Sequence, residues 1–341
     1  MGLLKPVLGT ALSSVITLVI TLAITLGLAP VPDAVAVIGP RTTTVTAAWS
    51  TARVTIGKPA SVRGTVTSGG VTGARPVRLE LRVASGWRTM ATGRTASTGR
   101  YTMSVPTGFY RSAQMRVSAP ATVATTAAST PGHVLRVGPA YRPAGSTAAW
   151  APFSRSVRYR LDPCAIVGYR VNLAQATAGA LADVKAAFAR VARASGLRFR
   201  YRGTTTSMPP SGRRWPTDAT LVVGWARPHQ TSWKMSGSIL GFGGPVLWRS
   251  ADDASGAVRR IARGGVLIDS TERLGRGFGK GDLRGKVILH EIGHAIGLGH
   301  VSSTAQRMKH VITRGSTSAW GAGDLTGMRR VGLLRGCVVT R

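Results

Sequence analysis

Three histidines, one glutamate and one glycine fall at fixed spacing in the run His290-Glu291-Ile292-Gly293-His294-Ala295-Ile296-Gly297-Leu298-Gly299-His300. Read as H-E-x-x-H-x-x-G-x-x-H, five specified positions arise by chance in a 341-residue chain with a probability on the order of 10⁻⁴, taking each residue type as roughly one in twenty. On a helix His290 and His294 stand at i and i+4, so both imidazoles leave one face and can grip one ion. Glu291, next to the first ligand, is badly placed to chelate the same ion but can reach a water beside it. Gly297 can take a positive φ at little steric cost and end the helix. The chain then turns back and His300 arrives as a third nitrogen ligand. Three neutral imidazoles with a position left open are the donor set of a catalytic zinc rather than a closed structural one. The chemistry would be amide hydrolysis: zinc acidifies a water, and Glu291 takes its proton and delivers it to the leaving nitrogen, with no covalent intermediate.

The elements that must hold these groups are partly visible. Ile288, Leu289, Ile292, Ala295 and Ile296 can share one buried side of a helix that starts near Gly285. Leu221-Val222-Val223-Gly224-Trp225-Ala226 and Gly265-Val266-Leu267-Ile268-Asp269 read as inner strands. A further helix is expected over Ala178 to Ser195, with Leu181, Val184, Phe188 and Val191 at helical spacing and Gly196 as its stop. Ser156 to Leu161 and Leu197 to Tyr201 give a first and a second strand.

These motifs resemble the metzincin zinc metalloproteases, and among them the matrixin type, over roughly residues 152 to 341. The resemblance implies an α/β (α+β) catalytic domain with a mostly parallel twisted sheet and an active-site helix. It assigns His290, His294 and His300 as Zn2+ ligands, Glu291 as general base and Met308 as the methionine of a turn beneath the metal. It makes Gly237-Ser238-Ile239-Leu240-Gly241-Phe242, in the run that continues to Pro245, the edge strand that pairs with substrate. Trp320 to Leu325 would open a last helix, with Asp324 as N-cap. Two departures stand out. Related secreted bacterial sequences often continue the turn as Met-Tyr-Pro, whereas here it reads Met308-Lys309-His310, so His310 is either a replacement donor or an ordinary loop histidine. Asp252, Asp253 and Asp269 are too few for a clear calcium site and read as solvated loop acids, with a weak option on an ion.

The chain has 45 basic and 12 acidic residues, a formal charge of +33. Most of the basic residues are Arg, which fits a GC-rich genome as well as attraction to polyanions such as anionic cell-wall polymers. The basic residues are spread over every segment and no nucleic-acid module is evident, so no specific nucleic-acid partner is expected. The two cysteines, Cys164 and Cys337, are either one disulfide, as an oxidising compartment would favour, or two buried thiols.

Residues 1–36 have the pattern of an export signal: Lys5, an apolar run from Val7 to Ala29, then Ala34-Val35-Ala36. The run is also long enough to remain as a membrane anchor if uncleaved. Residues 41–137 show short alternating runs, Ser61 to Val66, Val77 to Val83 and Tyr101 to Val105, parted by Gly, Ser and Thr. They suggest a separate Ig-like β-sandwich with Trp87 in its core, acting as a spacer. Residues 138–151 read as a linker and 152–341 as the metallopeptidase domain. Between Val37 and Leu161 there is no Cys and no Asp, and the only acid is Glu80, so no cysteine switch over the metal is expected.

The sequence therefore leads to the expectation of a secreted zinc metalloendopeptidase acting on protein or peptide substrates. An exported envelope-binding protein with a vestigial metal site is the alternative. The intact Glu291 speaks against it, because a vestigial site has no need of a base.

Overall fold

The computed structural model describes residues 39–211, 214–235, 237–311 and 318–341. The expected export segment, residues 1–36, lies outside them. The described chain is mixed α/β, mostly strands, with three α-helices among the described residues.

The first half is all β. Its strands are β1 (Thr43–Val45), β2 (Ala48–Trp49), β3 (Arg53–Thr55), β4 (Ser61–Ser68), β5 (Pro76–Val83), β6 (Gly86–Arg94), β7 (Arg100–Ser104), β8 (Arg111–Ala119), β9 (Ala128–Ser129) and β10 (His133–Gly138). They form one sheet of order β1-β4-β2 with β7 on β4, and a second of order β3-β10-β8-β5-β6 with β9 on β8. Alternation drives the packing. Val77, Leu79, Leu81 and Val83 of β5 turn to one face and meet Val62, Val66, Met115, Val117 and Leu135 in a common core. Each such side chain contributes roughly 1.5–3 kcal/mol by leaving water. Trp87 is not in this core. It lies half-buried on β6, beneath the guanidinium of Arg116 at 4.3 Å and that of Arg82 at 5.5 Å. Both cations sit on the outer face of the sheet, and an indole ring is their best cover.

The second half holds β11 (Tyr159–Arg160), β12 (Ile166–Val171), α1 (Ala180–Ser195), β13 (Arg198–Thr204), β14 (Leu221–Ala226), β15 (Gly241–Asp253), β16 (Gly256–Asp269), α2 (Arg284–Ala295), α3 (Ala322–Val331) and β17 (Val339–Thr340). The sheet runs β13-β12-β14-β16-β15-β17, with β11 also on β16. Neighbours among β13, β12, β14 and β16 pair in parallel, and β11 pairs in parallel with β16; β15 is antiparallel to β16 and to β17. The expected first strand over Ser156 to Leu161 shrinks to two residues. The strand the sequence hid is β12, whose Gly168 interrupts an apolar run. That glycine is required because a Cβ there would overlap the carbonyl of Asp218.

Helix α1 follows its sequence pattern. Val184, Phe188 and Val191 are buried, and Gly196 at φ 75° closes it with an N–H bond to the Ala192 carbonyl. Its core joins Ile288 and Ile292 of α2, Met328 of α3 and Val171, Val223 and Val266 of the sheet. A buried ion pair, Arg284 to Asp183 at 2.7 Å, ties the start of α2 to α1. Cys164 and Cys337 form a disulfide with their Cα atoms 5.3 Å apart, joining the turn before β12 to the segment before β17.

The two halves belong to one compact unit, Pro40–Arg341, and they exchange residues. Leu333, after α3, completes the core of the first half, while Tyr110, before β8, is buried in the core of the second. Backbone bonds flank both: Tyr110 N–H to the Arg193 carbonyl at 2.7 Å, and Ala84 N–H to the Leu334 carbonyl at 3.0 Å. The first half is thus packed against the second.

Candidate metal centre

Helix α2 carries His290, Glu291 and His294, each buried. At its end Gly297 takes φ 112°, which no L side chain adopts comfortably, and the chain reverses so that His300 faces the helix again. The Nε2 atoms of the three histidines form a triangle with sides of 3.0, 3.0 and 3.1 Å. A tetrahedral ion with bonds of about 2.0–2.1 Å holds its nitrogens about 3.3 Å apart, so the triangle fits one ion with a slight expansion.

The tautomers point the same way. His290 Nδ1 donates to the Arg307 carbonyl and His294 Nδ1 to the Leu298 carbonyl, both at 2.8 Å. Their Nε2 atoms are then lone-pair acceptors facing one another, an arrangement that repels unless a cation lies between. Burial pushes the His290 imidazole well below its ordinary value and the His294 imidazole down to about 4, so both are neutral ligands near pH 7. Burial and the neighbouring His310 also lower His300. The triad could hold a metal ion, and among the described residues no fourth His, Cys, Asp or Glu joins it. The other cluster of metal-ligand types, Asp162 with Cys164 and Cys337, has its sulfurs spent in the disulfide.

Met308 is buried beneath α2, and its sulfur packs where Gly293 has no side chain. A Cβ at Gly293 would overlap that sulfur, so a larger residue between His290 and His294 would force the Met308 side chain to move. The Met308 turn is held by Asp324, whose carboxylate accepts the N–H groups of Arg307, Met308 at 3.1 Å and Gly321 at 2.8 Å. Asp324 is therefore not the N-cap of α3; Gly321 holds that place and Asp324 is its third residue. Arg307, buried and absent from the sequence expectations, places its charge toward both Asp324 and Glu291. Burial pushes the Glu291 carboxyl up to about 8, with Arg307 pulling against that rise.

Strand β15 passes in front of α2. A Cβ on Gly243 would overlap the Glu291 backbone carbonyl, so the glycine there lets strand and helix touch. The strand begins at Gly241: Gly241 and Phe242 lie in it, but Gly237, Ser238, Ile239 and Leu240 precede it. Gly237 at φ 73° belongs to a turn, which ends the extended run expected there. One edge of β15 pairs with β16; on the other, β17 covers only Ala251 and Asp252. Asp253 and Asp269 are not solvated acids. Asp253 binds Arg158 and Arg160 with a buried carboxylate, and buried Asp269 accepts the Thr271 N–H and hydroxyl. Exposed Asp252 pairs with Arg341.

The expected linker is the third support. Ala144 accepts the Ala322 N–H at 2.8 Å, Ala151 accepts the Gly299 N–H at 2.8 Å, and the Phe153 N–H donates to the Gly297 carbonyl at 2.9 Å. Phe153 also stands edge-on to His294, with ring centroids 6.1 Å apart. Residues 144–153 thus strap the turn between the second and third ligands. A Cβ on Gly299 would overlap the Pro152 carbonyl. Gly299→Ala is accordingly expected to weaken metal binding at the triad by about 10–100-fold, the usual loss when a ligand's support is disturbed. Competition with a chromophoric chelator measures this, and an affinity equal to the parent's would show that the strap does not position His300.

Compared with protein-family models and with curated proteins, the sequence matches none.

Proposed function

We propose that the chain is an exported, zinc-dependent endopeptidase with a metzincin-like catalytic half and an Ig-like first half. One observation carries the reading: three neutral imidazoles converge on one point, and the residue after the first ligand is a buried glutamate. A zinc ion held there supplies, when bound, a Lewis acid that polarises the scissile carbonyl and acidifies water. The chain's own groups do the rest. The open edge of β15 accepts an extended peptide through main-chain bonds and lays it across the front of α2. A carboxylate oxygen of Glu291 takes the proton of the attacking water and passes it to the leaving amide nitrogen. The burial of Glu291 excludes bulk water from that transfer.

Casein hydrolysis that is abolished by a chelator and restored by zinc is the expected result. Metal binding with no hydrolysis across a peptide library would favour an envelope-binding protein instead. The elevated Glu291 carboxyl sets a pH dependence. The base works ionised, so activity is lost as pH falls through its value, and a bound cation opposes the rise from 4.5 to about 8. The acid limb of kcat/KM is expected to have its midpoint above about 5. Full activity retained at pH 4 would contradict the assignment.

A further inference from the structure

A cavity of about 610 Å³ opens beside the third ligand, between the strap and the chain that follows His300. Its polar lining is Arg155, His300, Ser302, Ser303 and His310, with Trp150 on the strap side, and among the described residues no carboxylate contributes. Arg155 is exposed and carries no ion-pair partner among the described residues. Six carboxylates elsewhere are already committed. Glu80 pairs with Arg116, Asp183 with Arg284, Asp218 with Arg170, Asp252 with Arg341 and Asp253 with Arg160, while Asp324 is spent on backbone N–H groups. The cavity is therefore a guanidinium, hydroxyls and imidazoles facing solvent, on a chain of charge +33.

We infer that this cavity is a substrate subsite for a carboxylate side chain, Asp or Glu, close to the bond cleaved. The inference rests on the peptidase reading and names its substrate class: acidic peptides. Arg155 supplies the charge, and Ser302, Ser303 and His310 offer N–H and O–H donors to the carboxylate oxygens. The overall charge raises the local concentration of acidic chains, and the cavity selects among them.

The test uses short dye-labelled peptides in which one Glu is walked along a neutral sequence, each with its Gln counterpart. They are bound to the full chain carrying Glu291→Gln and loaded with zinc, and fluorescence anisotropy is read at low salt. At one peptide position, Glu is expected to bind about fivefold tighter than Gln, the scale of an exposed ion pair. Arg155→Gln removes the preference and Arg155→Glu inverts it. Arg200→Glu, an exposed change on β13 at the far edge of the sheet, alters net charge as much as Arg155→Glu and leaves the preference intact. Raising salt to about 0.5 M shrinks the preference. Equal binding of Glu and Gln peptides at every position, or equal loss in Arg155→Glu and Arg200→Glu, overturns the subsite. The parent chain is then given the same peptides: a binding preference without cleavage leaves the cavity standing as a carboxylate-binding site and counts against the peptidase reading.

Discussion

Glu291→Gln is expected to lower kcat/KM on a peptide substrate by about 10³-fold or more, while zinc content stays at the parent's level. The substitution keeps the shape of the side chain, and the three imidazoles are untouched. What it removes is a group able to take a proton; positioned proton transfer is worth about 10²–10⁴-fold. A neutral amide is also no harder to bury than a carboxyl that burial already pushes up to about 8, so the fold has no reason to suffer. Metal analysis and initial rates on the same preparations measure both quantities. Hydrolysis within tenfold of the parent's would remove Glu291 from the chemistry, and with it the proposed mechanism.

The second large effect is expected at Asp324, which touches no ligand directly. Asp324→Ala leaves the N–H groups of Arg307, Met308 and Gly321 without their acceptor inside the protein. Each orphaned buried donor costs about 1–3 kcal/mol. Together they take a large share of a typical stability of about 5–15 kcal/mol. The damage is also directed, because the Arg307 carbonyl is what His290 Nδ1 donates to. A loosened turn frees the ring and lowers metal affinity. Asp324→Asn keeps one side-chain oxygen with two lone pairs, so it should fall between the parent and the alanine variant. Thermal unfolding with and without zinc checks this: the alanine variant is expected to melt several degrees lower and to gain less from the metal. A melting temperature and zinc response equal to the parent's would show that Asp324 does not support the site.

The parts of this site that the sequence revealed are those set by local geometry. An i, i+4 pair on a helix must share a face, and a glycine three residues later can reverse the chain; His290, His294, Gly297 and His300 lie as that logic requires. Helix α1 was legible for the same reason, through Val184, Phe188 and Val191. What stayed hidden depends on backbone meeting backbone across long separations. Nothing in Ala144 to Phe153 says that its carbonyls serve Gly299 and Ala322; an alanine- and proline-containing stretch reads alike whether docked or free. The start of β15 was misplaced because glycines serve turns and close contacts equally, and only the approach of Glu291 to Gly243 separates the two uses. Asp324 was given a helix-capping role because the turn it holds lies sixteen residues earlier in the chain, beyond any local pattern.

The exchange of Tyr110 and Leu333 has a consequence in time. Leu333 fills a core whose other walls, from Val62 to Leu135, are made some 200 residues earlier. At about 5–20 residues per second, that core waits roughly ten to forty seconds for its last side chain. Cys337 meets Cys164 only after the same segment has arrived. The three histidines, at 290 to 300, are made before either closure. A chain cut short between them would carry every residue of the histidine motif and still lack the piece that seals its own first half.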